Sequence, residues 1–308
     1  MLNIEDVKKT LQRIGLRQIE VKGDALKAQT NLLSIEAHTS ARGLRFECQL
    51  LQQVARNKIF LWNIIHHNNS FFPFGSFYIS PGQQVCFGWF LPQGCYFEAW
   101  LDRVLFETVS TAEGYYKVIQ SEFNELPFDE AELTQNLLEL IRTELKAPKF
   151  NVETTRQEAS VMLERILEEA VGFDNMVRIG EFEFGTTKDH IINLTIENAP
   201  FFRRTVSGPA WYISVHTEVG LLHNTDNKLF IQFNRQNYDS FLLARGMKYR
   251  DRKPMVVLNS QLLPDYIQHP GVLRRVIDQH NEVANELLHS LQKPYHIQSL
   301  IDYKLKIG

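Results

Sequence analysis

The amino-acid sequence predicts an α+β protein built as two tandem helix–sheet–helix units, each a mostly antiparallel sheet covered by helices. Three observations carry that expectation. A short amphipathic helix with its own cap opens each half: Asn3 lies three residues before Asp6, and Thr155 three before Glu158. Runs of alternating or β-branched and aromatic residues, separated by turn residues, follow both helices. A long stretch with helical spacing then closes each half.

In the first half, Ile4, Val7, Leu11 and Ile14 give the opening helix one apolar side, and Gly15 ends it. Gln18–Val21 reads as a strand running to the Gly23-Asp24 break. Leu32–Ala37 is a second strand, stopping at the polar run from His38 to Gly43. Leu44–Leu50 alternates cleanly, so one face should meet a helix and the other water. Ser76–Ile79 and Val85–Leu91 flank Ser80-Pro81-Gly82-Gln83, for which a type II turn is expected, with Pro81 at the first corner and Gly82 at positive φ. Phe97, Trp100, Leu101, Val104 and Leu105 then fall on one helical face, so a helix should close over the hairpin. A further helix is predicted from Asp129 to Leu145, and Ala147-Pro148-Lys149 marks a boundary between units 1–148 and 149–308.

The second half opens with a helix carrying Ala159, Met162, Leu163, Ile166, Leu167 and Ala170 on one side. Strands are predicted at Val177–Phe184, Ile191–Ile196, Trp211–Val215, Lys228–Phe233, Leu242–Tyr249 and Met255–Leu258. Pro270 opens the final helix, with Val272, Val276, Val283, Leu287 and Leu291 as its apolar face. The repeated order suggests a duplication. A slide of 172 positions sets Val85-Cys86-Phe87 on Val257-Leu258-Asn259 and Leu91-Pro92 on Leu263-Pro264, at slight identity.

With 308 residues, 44% hydrophobic and 22% charged, the chain is long enough for two ordinary globular units. The net charge of −3 is spread evenly enough that neither half carries the one-signed field that captures nucleic acid. No apolar run is long enough for a membrane span, and the acidic start Met1-Leu2-Asn3-Ile4-Glu5-Asp6 is unlike a secretory signal, so a cytoplasmic address and no membrane partner are expected. Cys48, Cys86 and Cys95 are odd in number and lack Cys-x-x-Cys spacing, which argues against a disulfide frame.

The first half also resembles a known family. Asn63 and Asn68-Asn69, then Phe71-Phe72-Pro73-Phe74-Gly75-Ser76-Phe77, the hairpin ending Phe90-Leu91-Pro92 and the helix through Tyr115-Tyr116 look like the YbjN-like family, which shares the fold of type III secretion chaperones. The likeness spans Ile4 to about Phe123. It is weaker over Thr155–Gln292, where Leu243-Ala244-Arg245-Gly246 replaces the Pro-Phe-Gly turn and a strand near Trp211 looks extra. The resemblance implies no known catalytic residues and a role in binding polypeptide, and no cofactor is expected. It also implies pairing as dimers, which a tandem copy would convert into a pseudo-dimer within one chain.

On these grounds a non-enzymatic chaperone-like or adaptor protein is expected, gripping a partner segment on the open sheet and at a sheet edge. Phe71, Phe72, Phe74 and Trp89 are the candidate partner-binding residues, with plugging of the sheet end as the plainer reading. The alternative is a nucleic-acid-binding regulator using Arg245, Lys248, Arg250, Arg252 and Lys253 around Tyr249, a run that the solvated tip of a strand pair explains equally. A third reading, a metal-dependent hydrolase, would draw on Glu181, Glu183, Lys188 and Asp189, although the alternation of the glutamates with Phe182 and Phe184 describes any half-exposed strand. His66-His67 has no third metal ligand at a useful offset, and a redox pairing of Cys86 with Cys95 has no neighbouring cation to favour it.

Overall fold

The structure is a computed structural model that describes residues 3–51, 75–92, 98–124, 155–186, 190–198, 211–240, 243–250, 252–262 and 270–300. The boundary near Pro148, the helix expected from Asp129 to Leu145, His66, His67, Phe71, Phe72, Phe74 and Cys95 lie outside these residues.

The described part of the first half runs α1 (Ile4–Arg13), β1 (Ile19–Lys22), β2 (Ala25–Gln29), β3 (Ser34–Ser40), β4 (Gly43–Leu51), β5 (Ser76–Ile79), β6 (Val85–Pro92) and α2 (Glu98–Asn124). The second runs α3 (Arg156–Val171), a 3-10 turn (Phe173–Asn175), β7 (Met176–Arg178), β8 (Glu183–Thr186), β9 (Ile192–Asn198), β10 (Trp211–Leu221), α4 (Asn227–Tyr238), β11 (Ala244–Arg250), β12 (Lys253–Leu262), α5 (Pro270–Tyr295) and β13 (Gln298–Ser299). This is the α+β class expected. Both capping boxes form: Asn3 with Asp6 at α1 and Thr155 with Glu158 at α3.

Each half holds an antiparallel sheet, and the two sheets repeat one strand order. The first is β1-β2-β3-β4-β6-β5 and the second β7-β8-β9-β10-β12-β11, with β13 added beside β10. Even the irregularities correspond. A bulge between Gln49 and Leu51 interrupts the β4–β6 ladder, and one between Glu218 and Gly220 interrupts β10–β12 at the same step. Leu51 lies opposite Val85 as Gly220 lies opposite Val256, so the ladders place Val85 on Val256, one residue away from the slide expected. A one-residue slip exchanges the two faces of a strand, and only the ladder removes it.

Several sequence expectations are corrected here. Lys228–Phe233 is part of helix α4 instead of a strand: Asp226 caps it through the Leu229 amide, and Leu229, Phe230, Phe233 and Asn237 form a buried stripe at helical spacing. The strand near Trp211 is not extra, since β10 occupies the place of β4. Val177–Phe184 divides into β7 and β8, and β2 escapes a propensity reading because Ala25-Leu26-Lys27-Ala28-Gln29 has weak β propensity. In the β5–β6 turn the positive φ falls on Gln83 and not on Gly82. The Gln83 amide donates to Ser80 O and the Ser80 amide to Gln84 O, closing a three-residue loop whose last residue is left-handed, which suits the twist of the strands.

Helices α1 and α2 cover one face of the first sheet. Leu26, Ala28, Ile35, Ala37, Leu44, Phe46, Cys48, Phe87, Trp89, Phe77 and Ile79 meet them there, and nearly all are completely buried. Asp102 of α2 accepts hydrogen bonds from Thr10 (2.8 Å) and Arg13 (2.5 Å) of α1, which sets the two helices against each other. On the opposite face Gly88 is required: a Cβ there would stand 2.2 Å from Phe46 O and 2.9 Å from the Tyr78 hydroxyl.

Helix α4 belongs to the second half and joins it to the first. The Asn234 side chain accepts from Ile79 N (2.6 Å) and donates to Ile79 O (2.9 Å), so it caps the edge strand β5. Three residues on, Asn237 accepts from Arg245 N (2.8 Å) and donates to Arg245 O (2.9 Å), capping β11, the edge of the other sheet. Where β5 has ended, the Ser240 carbonyl takes the Phe90 amide of β6. Most buried apolar residues of both halves accordingly merge into one core cluster, with Leu221, Met255, Val257 and Leu300 forming a smaller one of their own.

Replacing Asn237, which is wholly buried, by Leu should leave two buried backbone groups of Arg245 unpaired at about 1–3 kcal/mol each. Urea unfolding should show a loss of several kcal/mol for Asn237→Leu and a smaller one for the half-buried Asn234→Leu, and equal stability of both variants with the parent would contradict the edge-capping role.

Candidate polypeptide-binding surface

The residues singled out in the sequence do not gather at one place. Trp89 is corrected from a surface anchor to a core residue: it is 3% exposed, stacks on Phe46 at 5.4 Å between ring centroids, and donates its indole N–H to Thr108 at 2.9 Å. Its aromatic neighbour across the ladder and the overlying α2 leave it no access to a partner. The basic run also divides. Arg245 lies buried in β11 and Lys248 is half-buried beside His216, so neither belongs to the loop; Arg250, Arg252 and Lys253 sit at the tip of the β11–β12 hairpin beside the exposed Tyr249. Arg250 faces Glu218 at 3.6 Å, and Arg252 takes a left-handed backbone in the turn.

Cys48 and Cys86 are both free thiols, and burial pushes both up from their ordinary range, beyond use as nucleophiles at neutral pH. Glu183 lies in β8, whereas Glu181 precedes it; Lys188 and Asp189 are outside the described residues. Among the described residues no three His, Cys, Asp or Glu side chains come together as a metal site. Among them, too, no helix is long and apolar enough to cross a membrane.

The face of the first sheet turned away from α1 and α2 is expected from the sequence to be open. At its β5–β6 end it is occupied by the last turn of α4. The Arg45 guanidinium lies 3.5 Å from the centre of the Tyr238 ring, donates to Tyr238 O, and pairs with Asp239 at 3.0 Å. The Tyr78 ring meets Tyr238 edge-on, and its hydroxyl donates to Glu47 at 2.9 Å. Burial raises the Glu47 carboxyl above its usual range, against the opposing pull of the Tyr78 hydrogen bond and of Arg45. Beside this cluster a cleft of about 480 Å³ remains, floored by Lys27, Glu36, His38 and Arg42.

The four sheet edges differ in how they end. Edges β5 and β11 are capped by α4. Edge β1 is blunted by the exposed Glu20 and Lys22, a usual protection against stray pairing. Edge β7 is different. It is only three residues long, pairs with β8 on one side, and among the described residues nothing pairs with it on the other. Around it three large apolar side chains stand in solvent: Phe173 at 70% exposure, Ile179 at 55% and Val177 at 48%. Ile179 leans over Gly185, where a Cβ would lie 3.3 Å from its terminal carbon, so Val177 and Ile179 share one side of the sheet. Arg178 points away, bonded to Glu164 at 3.0 Å. Sequence patterning hides Val177 and Ile179, because it places them inside one half-buried strand. The signal that separates them is the interruption Ile179-Gly180, which splits that strand in two.

The second sheet holds a buried polar cluster at the position of Trp89 and Thr108. Ser260 lies opposite Val215 as Trp89 lies opposite Phe46, and both its hydroxyl and that of Thr217 meet the ring nitrogens of His280 at 2.8 Å. Burial first, then His216 and Arg245, hold His280 down at about 3; burial and the nearby Lys248 hold His216 at about 4. No protein-family model, curated protein or solved structure matches this chain.

Both histidines are neutral in the folded protein, while their unfolded forms take up a proton below about 6.5. Stability is therefore complete above pH 6.5 and falls as pH drops toward 4, by up to about 1.4 kcal/mol per pH unit for each group. Denaturant unfolding between pH 7.5 and 4.5 should show this slope, and His280→Gln should flatten it while lowering stability at pH 7.5.

Proposed function

We propose that this chain is a non-enzymatic, chaperone-like adaptor that binds an extended polypeptide segment as an added strand beside β7. The observation that carries the reading is the apolar edge from Phe173 to Ile179, unpaired among the described residues, whose other three sheet edges are capped or charged. Main-chain pairing would supply affinity, and alternate side chains of the partner would pack on Val177, Ile179 and Phe173 to supply selectivity. The resemblance of the first half to the YbjN-like family supports the same role, with the two similarly wound halves acting as a pseudo-dimer tied through α4. A cytoplasmic setting agrees with it.

The exposed Tyr249, Arg252 and Lys253 at the hairpin tip, with the half-buried Arg250 beside them, favour a second reading, contact with nucleic acid. A salt-titrated gel shift comparing the parent with Arg252→Glu and Lys253→Glu decides it, since phosphate contacts weaken steeply with salt.

For the adaptor, the triple variant Phe173→Ser, Val177→Lys, Ile179→Lys should keep the parent's circular dichroism and melting temperature, because the altered side chains are exposed. Affinity purification from the native cell with mass spectrometry should recover partners on the parent that the variant loses by tenfold or more. Identical partner sets for both proteins, or none on the parent, would overturn the reading.

A further inference from the structure

A cavity of about 620 Å³ lies where the two halves meet, between α4, β11, α5 and Phe90 of β6. Gln232, Arg235 and Gln236 reach it from α4 and Asp239 from the C-cap of that helix, at the i, i+3, i+4, i+7 spacing of one face, opposite the buried Phe230 and Phe233. Gln279 reaches it from α5 and Arg245 from β11. The volume is that of a small-molecule site.

Arg245 is the anomaly there. Its side chain is 9% exposed, and its Nε and Nη1 are sealed from solvent without a hydrogen-bond partner. Among the described residues no carboxylate forms an ion pair with it; Glu286 acts on it only through space. Burial lowers its proton affinity to about 10, which still leaves a full positive charge at neutral pH. A buried, uncompensated guanidinium is among the costliest features a fold can keep, and its fork of N–H donors fits oxyanions. Gln236, another residue of the cavity wall, also keeps a buried acceptor without a donor, its Oε1.

We infer that this cavity binds a phosphate monoester of a hydroxylated small molecule, with the phosphate on Arg245 and Arg235 and the hydroxyls against the amide side chains of the wall, Gln236 among them. Two cations match a dianion better than a single carboxylate. The polar wall of Gln232 and Gln279 suits the remaining hydroxyls. This cavity is separate from the β7 edge, which lies at the opposite end of the second sheet's strand order from β11.

Thermal melting and calorimetry of the full chain with inorganic phosphate, ribose 5-phosphate, ribose, and sodium chloride at matched ionic strength test this. The parent should gain several degrees with phosphate, more with ribose 5-phosphate, and nothing with ribose or chloride. Arg245→Met should abolish the response, yet melt no lower than the parent without ligand, because it removes an uncompensated buried charge. Arg235→Ser should weaken both phosphates about tenfold, the scale of one charge-assisted hydrogen bond, and Gln236→Leu should weaken ribose 5-phosphate alone. These two variants carry the test should Arg245→Met fail to fold. A parent that responds to phosphate no more than to chloride, variants that respond as the parent does, or binding of ribose alone would overturn the assignment.

Discussion

Two asparagine side chains one helical turn apart hold the molecule together. A sheet edge buried without partners exposes a row of amide and carbonyl groups to a medium that cannot solvate them, and each sheet here has such an edge against α4. Asn234 satisfies one residue of β5 and Asn237 one residue of β11, each with both a donor and an acceptor. Because both amides stand on α4, capping the two edges also docks the two sheets. The Arg45 cluster and the shared apolar core follow from that placement, and so does the cavity that Arg245 lines.

The two halves use one strand order with different fillings. Where the first places Trp89 under α2, hydrogen-bonded to Thr108, the second places Ser260 and Thr217 under α5 on either side of His280. The first choice buries a large aromatic surface. The second holds a neutral histidine with both ring nitrogens partnered, which gives up apolar burial and makes that half sensitive to acid.

Local signals are legible where the chemistry is local. The capping boxes at Asn3 and Thr155, the Ser76–Leu91 hairpin and the apolar stripe of the last helix can all be read from spacing. The α4 segment reads as a strand because Lys228-Leu229-Phe230-Ile231-Gln232-Phe233 is rich in residues that strands also favour. The chain does carry a finer mark of duplication: Asn57-Lys58-Ile59-Phe60-Leu61 reappears as Asn227-Lys228-Leu229-Phe230-Ile231, a repeat more specific than the 172-position slide. The candidate sites are less legible, since Trp89 and Arg245 reveal their burial only through elements distant in the chain.

Taken alone, the order of amino acids settles the class of each half: caps, turns and hydrophobic period act between residues a few positions apart, so an α+β pair of helix–sheet–helix units follows from them. Long-range packing settles which sheet edges are covered, on which face each strand residue lies, and which charges are left without partners. Those outcomes depend on ladder register and on α4 reaching across from one sheet edge to the other, where a shift of a single residue reverses inside and outside.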